Sequence, residues 1–312
     1  MTHPRTFRFG LQASQPFPGL SWADTARQIE SAGFSTLFVP DHFGDQLSPI
    51  SAITAAACAT TSLRVGALVF DNDYRHPVVL ASEVATVDRL SEGRVEFGLG
   101  SGWMASDYEQ SGMSYDPPKV RVDRFVEAVE IIRRFWSNDP VDFEGDYYTI
   151  TGLNGLPKPH RPGGPPLLIG AGGPRMLRFA GAHADIVGVN PSIHSGHIDA
   201  ATARDAGADR FDQKVQWVRE GAGDRFDDIE LNVLIFMVSI TDDAASVAAN
   251  VAPMFGVETD DFLNMPPVLC GTEDEICAHL ESRRERWGLS YAVVQAGSFE
   301  AMAPIVARMA GQ

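Results

Sequence analysis

The chain has 312 residues, 44% of them hydrophobic and 21% charged, with a formal net charge of −16 at neutral pH. That length suits one large domain or two small ones, and no apolar run approaches the roughly 18 residues of a membrane-spanning helix. The negative charge disfavours nucleic acid and anionic membrane surfaces as partners, so an anionic ligand has to be held by local donors.

The opening residues, MTHPRTFRFG, carry no apolar core of a secretory signal, which makes a cytoplasmic protein the default expectation. Apolar runs suited to buried strands follow at 7–12, 35–40, 63–70, 94–100, 166–170, 186–190, 229–240 and 291–296. Amphipathic helical patterns lie between them, among others at 21–32, 76–90, 121–137 and 273–287. Ser21 with Asp24, and Thr272 with Glu275, read as helix N-terminal caps. Strands that are continuously apolar rather than alternating, each followed by a helix, indicate a parallel sheet covered on its outside. Eight such units favour a closed (β/α)8 TIM barrel over an open doubly wound sheet.

Two stretches interrupt the repeat. Residues 141–152, VDFEGDYYTITG, read as a short hairpin turning at Glu144-Gly145-Asp146. Residues 252–271, rich in Pro, Gly and Asp, read as a long mobile loop. No linker divides the chain, so a single domain over 1–312 is expected. Cys58, Cys270 and Cys277 form no CxxC pair, and no His/Cys cluster has metal-ligand spacing. Neither a disulfide framework nor a metal site is expected.

In a parallel barrel the carboxyl ends of the strands carry the chemistry. The second strand ends in Asp41 and His42, a carboxylate and an imidazole where a core strand has just finished. The first ends at Gln12-Ala13-Ser14, and the third at Leu68-Val69-Phe70, followed by Asp71, Asn72 and Asp73. After the fourth, GLGSGWMASDY places glycines at 98, 100 and 102. They leave room either for a flat ligand against the backbone or for packing of neighbouring strands. The fifth runs into LLIGAGGPRM, where Gly170, Gly172 and Gly173 precede Pro174 at a helix start, with Arg175 beside them. Such a turn can cradle a phosphate on backbone amides, or it can be an ordinary tight connection. Together these features suggest a phosphorylated, planar cofactor. The dinucleotide GxGxxG is missing after the first strand, where GLQASQ stands, and this disfavours a Rossmann nicotinamide site.

With these residues in view the chain resembles the luciferase-like flavin and deazaflavin oxidoreductase superfamily over almost its full length. Four segments carry the likeness: GFSTLFVPDHF (33–43), LRVGALVFDNDYRHP (63–77), SEGRVEFGLGSGWMASDYEQSG (91–112) and PPLLIGAGGPRMLRFAGAHADIVG (165–188). PDHF looks most like the subgroup using coenzyme F420, whereas the FMN subgroup often shows Glu-His-His there; here Phe43 follows His42. The resemblance implies a bacterial-luciferase-like barrel and hydride transfer between F420 and a small organic substrate. It places Asp41 and His42 beside the deazaflavin, with His42 as general acid/base. It places a non-proline cis peptide at Leu68-Val69 and a polar cofactor contact at Ser106. Gly170, Ala171, Gly172 and Gly173 match its phosphate-binding turn, with Val187 and Gly188 near the ring or its tail. Gln12, Asp71, Asn72, Trp103 and Tyr108 are substrate-pocket candidates. The sugar-phosphate dehydrogenases of this subgroup draw phosphate-binding cations from a segment that here, at 186–203, contains no Lys or Arg, which points to a neutral substrate. An FMN-dependent monooxygenase with a partner reductase is the alternative, a non-catalytic flavin-binding protein the third reading. Homodimers are common among proteins of this resemblance.

Overall fold

The computed structural model describes residues 5–193 and 195–312. In chain order the elements are β1 (Arg8–Gln12), α1 (Trp22–Ser31), β2 (Thr36–Val39), α2 (Pro49–Ala59), β3 (Arg64–Ala67), β4 (Phe70–Asp71), α3 (Pro77–Leu90), β5 (Val95–Gly100), α4 (Ala105–Ser111) and α5 (Pro118–Trp136). There follow β6 (Val141–Glu144), β7 (Thr149–Leu153), β8 (Leu167–Ala171), α6 (Pro174–His183), β9 (Ile186–Val189), α7 (Ala200–Asp205), α8 (Ala208–Ala222), β10 (Glu230–Ile235) and β11 (Met237–Ile240). The chain ends with α9 (Ala244–Phe255), α10 (Thr259–Asn264), β12 (Val268–Gly271), α11 (Glu273–Trp287), β13 (Leu289–Gln295) and α12 (Phe299–Met309).

The main sheet runs β3-β2-β1-β13-β10-β9-β8-β5-β4, and β3 pairs back onto β5. With β3 and β4, which both pair with β5, counted as one interrupted strand, eight strands with α-helical crossovers close on themselves as a (β/α)8 barrel. The strands are buried along their length, as the unbroken apolar runs require: TLFV in β2 and IVGV in β9 are buried at every position. Helix starts follow local chemistry. Proline stands in the first turn of α2, α3, α5 and α6, where its missing N–H costs nothing. Thr272 and Glu275 make a reciprocal capping box on α11, and Ser21 Oγ accepts from the Asp24 amide at 3.1 Å. Among the described residues no helix is long and apolar enough to cross a membrane.

By internal contacts the chain divides into two units. One comprises residues up to Ala13, Gln28–Thr36 and Ile169–Gln312; its core holds the Phe34–Phe299 and Phe211–Trp287 ring pairs. The other comprises Ser14–Arg27 and Leu37–Leu168, with Phe70, Phe97 and Trp136 packed in series.

Two segments depart from the sequence reading. The run 229–240 is not one strand: β10 ends at Ile235, and β11 pairs in parallel with β12 in a separate two-stranded sheet. The stretch 252–271, expected as a loop, instead completes α9 and supplies α10 and β12. Phe262, Met265, Val268 and Cys270 from it are buried against Ala206, Ala248 and Ala252. Prolines and acids between these short elements mask an apolar pattern spaced too irregularly to read as one period. Residues 141–153 form an antiparallel pair, β6 with β7. Its turn is pinned by the Glu127 carboxylate of α5, which accepts from the amides of Asp146, Tyr147 and Tyr148 at 2.7, 3.0 and 3.2 Å.

Candidate active site

In the unit built on 37–168, β2 ends at Val39, before Pro40, which cannot donate to a strand ladder, and Asp41 and His42 follow. Adjacent in sequence, the two side chains have separate partners. Asp41 is buried and receives both guanidinium arms of Arg75, at 2.6 and 3.1 Å, as well as the Asp71 amide at 3.0 Å. His42 places Nδ1 2.6 Å from Oδ2 of Asp107, a buried carboxylate on α4. An ionised carboxylate can only accept, so Nδ1 carries the hydrogen and Nε2 presents its lone pair away from Asp107. The same Asp107 oxygen accepts from Tyr74 Oη at 3.0 Å. Trp103 stands edge-on to the imidazole, 5.6 Å between ring centroids at 85°. The His42 side chain is 27% exposed, so it is braced yet reachable.

A second carboxylate cluster lies behind this dyad. Asp73 takes two bonds from Arg124 at 2.8 Å, and Arg124 also donates to Asp116 at 2.8 Å. Tyr108 Oη is 3.1–3.2 Å from both Asp71 oxygens and 3.0 Å from Asp73 Oδ2. The single phenol hydrogen is shared between two carboxylates that repel one another. Burial pushes the Asp71 carboxyl up to about 7; repulsion from Asp73 and Asp41 adds to this and outweighs the hydrogen bonds from the Asp73 amide and Tyr108. Asp71 is therefore held toward its protonated form, while Asp73 is locked to Arg124.

The glycines at 98 and 100 within β5, and at 102 just after it, make room for protein, not for a flat ligand. A Cβ on Gly98 would lie 2.1 Å from the Ala67 carbonyl oxygen, one on Gly100 2.6 Å from Val69 Cγ2, and one on Gly102 1.9 Å from Tyr108 Oη. Leu68 and Val69, half-buried, flank a cis peptide bond. Asn72 is buried with its amide toward Asp73, and Ser106 lies half-buried beside Asp107 on α4.

In the other unit β8 ends in the turn 170–173, and Gly173 precedes α6 with no side-chain cap on the helix amides. A Cβ on Gly172 would strike the Pro191 carbonyl at 2.6 Å, whereas one on Gly173 would meet only Ser192 Oγ, at 4.0 Å. The chain thus packs tightly on one side of the turn and leaves space beside the backbone on the other. Arg175 is exposed on the first turn of α6. Val187 and Gly188 are buried within β9. Gln12 pairs in register with Gln295, whose amide donates to its side chain at 3.0 Å.

The structure therefore gathers Asp41, His42, Leu68, Val69, Asp71, Asn72, Trp103, Ser106 and Tyr108 in one unit; Gln12, Gly170–Gly173, Val187 and Gly188 belong to the other. Sequence reasoning missed Asp107, Tyr74, Arg75 and Arg124. No local pattern marks them, since each acts through a partner 30 or more residues away.

The sequence model of the luciferase-like monooxygenase family matches residues 10–285. Among curated proteins, the chain is 32% identical over 187 residues to an F420-dependent glucose-6-phosphate dehydrogenase of Amycolatopsis mediterranei, covering 57% of this chain and 56% of that one. It is 31% identical over 181 residues to a 5,10-methylenetetrahydromethanopterin reductase of Archaeoglobus fulgidus, covering 56% and 52%. The chain thus spans little more than half the length of these relatives. Among solved structures it superposes on the coenzyme F420-dependent tetrahydromethanopterin reductase from Methanopyrus kandleri with a TM-score of 0.75 at 21% identity, over 98% of this chain and 99% of that one. An F420-dependent secondary alcohol dehydrogenase in complex with an F420–acetone adduct gives the same TM-score and identity, over 97% and 99%.

Proposed function

This chain belongs to the luciferase-like monooxygenase family, and from that premise we propose that it is an F420-dependent oxidoreductase acting on a small, uncharged organic substrate. The observation that carries the reading is the His42–Asp107 pair at the carboxyl end of β2, a braced imidazole with its Nε2 left for a proton. The names of the curated relatives favour F420 over FMN.

Bound F420 would supply the centre that gives or takes hydride. The residues proposed to hold it are Leu68, Val69 and Ser106 in one unit, and Gly170, Ala171, Gly172, Gly173, Val187 and Gly188 in the other. The open side of the 170–173 turn and its uncapped helix amides fit a phosphate. His42 moves the proton at Nε2, while Asp107 fixes the ring and stabilises its charged form. Asp41, held by Arg75, acts as a positioning group that anchors the backbone ahead of His42 rather than as a reacting acid.

The charges around His42 support an uncharged substrate. Arg75 is spent on Asp41, Arg124 on Asp73 and Asp116, and Arg121 on the Gly102 carbonyl at 2.9 Å, so the surroundings are dominated by carboxylates. Trp103 and the half-exposed Phe43, packed on Tyr74 at 4.6 Å, offer apolar surface beside the imidazole.

The test is a titration of the purified protein with each cofactor, followed by quenching of tryptophan fluorescence. We expect saturable binding of F420 at about micromolar concentration and none of FMN. Binding of FMN alone would overturn the reading in favour of the monooxygenase alternative.

A further inference from the structure

Lys214 of α8 is an anomaly: its side chain is 0% exposed. Lysine is almost never fully buried unless paired, and as a source of stability alone a buried ion pair is a poor substitute for apolar packing. Its ammonium donates to Asp205 Oδ2 at 2.6 Å and to the Gly172 carbonyl at 2.7 Å. Asp205, the last residue of α7, also accepts from the Ser192 amide at 2.7 Å and from Arg210 Nε at 2.9 Å. One pair of side chains thus ties together the turn after β8, the loop after β9, α7 and α8. Burial lowers the Lys214 ammonium from its ordinary range against the pull of Asp205; burial would raise Asp205, yet its bonds to Lys214 and Ser192 leave it below the usual carboxylate range.

The tie has a directional consequence. In a planar trans peptide the C=O and N–H point in opposite directions. Drawing the Gly172 carbonyl onto Lys214 therefore turns the Gly173 N–H away from the lysine. Glycine is required at 172 because the chain at Pro191 and Ser192 presses within 2.6–2.8 Å of where a Cβ would stand. Ser192 is held in turn through Asp205. The ammonium is offset by the carboxylate, which it shares with the exposed Arg210, so the pair acts on the turn through shape.

We propose that Lys214 and Asp205 are positioning residues that set the 170–173 turn so that its amides receive a phosphate group of the cofactor. This rests on the reading of that turn as the phosphate seat of F420.

The experiment compares F420 with the same deazaflavin bearing its ribityl chain but no phosphate. Dissociation constants for both are measured by fluorescence quenching in the parent protein and in Lys214→Met, alongside thermal unfolding. In the parent we expect the phosphorylated ligand to bind at least about tenfold more tightly, the gain of one or two charge-assisted hydrogen bonds. In Lys214→Met that gap should shrink to about threefold or less, with affinity for the phosphate-free ligand unchanged. If Lys214→Met does not fold, Lys214→Met with Asp205→Leu removes both charges and carries the same expectation. A variant that keeps the parental gap, or weakens both ligands equally, overturns the positioning role and leaves the phosphate seat standing. A parent protein with no gap removes the phosphate seat itself, and the proposal with it.

Discussion

Around His42 the working groups are side chains held by other side chains: Asp107 and Tyr74 hold the imidazole, Arg75 holds Asp41, and Arg124 holds Asp73. At 170–173 the candidate ligand groups are backbone amides, and Lys214, tied to Asp205, holds the turn through the Gly172 carbonyl. The two regions make opposite demands. A proton-transfer group must be reachable and chemically active, so it is braced at one atom and left open at another. A seat for an anion must keep a fixed shape, so its support is a buried lysine tied to a partly buried carboxylate. Mutations should accordingly separate turnover from cofactor affinity.

The largest expected effect tests the first half of that contrast. His42→Ala should lower turnover by about 10²–10⁴-fold while the F420 dissociation constant stays within about twofold. Steady-state rates beside the binding titration check it; unchanged turnover would remove His42 from the mechanism. A smaller loss, about 10–100-fold in kcat, is expected for Asp107→Asn. The amide keeps the volume but can present either a donor or an acceptor to Nδ1, so the ring loses its fixed tautomer. If Asp107→Asn shifts the F420 dissociation constant instead of kcat, the division between the two regions fails.

The last expected effect, on stability rather than on turnover, concerns the acid cluster around Asp71. Asp71 titrates at about 7 in the folded protein against an ordinary value of 3.8. Between those values the folded chain keeps a proton that the unfolded chain has released, so this group's stabilising contribution fades as pH rises from 3.8 to about 7. The decline is at most about 1.4 kcal/mol per pH unit. Asp71→Asn keeps the side chain's volume and an oxygen that can accept from Tyr108, and it does not titrate. Urea unfolding across that range should show the parent losing stability relative to Asp71→Asn as pH rises; parallel curves would mean that Asp71 is ionised throughout.

Much of the barrel was legible because its signals are local. The eight barrel strands follow the apolar runs, and the caps at Ser21 and Thr272 form as their side chains dictate. The resemblance anticipated the cis bond at Leu68-Val69. The glycines at 98, 100 and 102 illustrate the limit. Their spacing admitted two meanings, and only the positions of Ala67, Val69 and Tyr108 decided for packing. The stretch 252–271 failed for the opposite reason: its apolar residues find one another in a small core whose other buried members lie at 206 and 248.

By itself the amino-acid order determined the alternation of strands and helices, the helix starts, and the placement of His42 and of the glycine turn at strand ends, because periodicity and capping act within a few residues. The tertiary structure alone decided which groups face them. Asp107 meets His42 across 65 residues of chain and Lys214 meets Gly172 across 42. Such pairs follow from how whole helices pack against the sheet, and hydrogen bonds that short form only where packing has already fixed both ends.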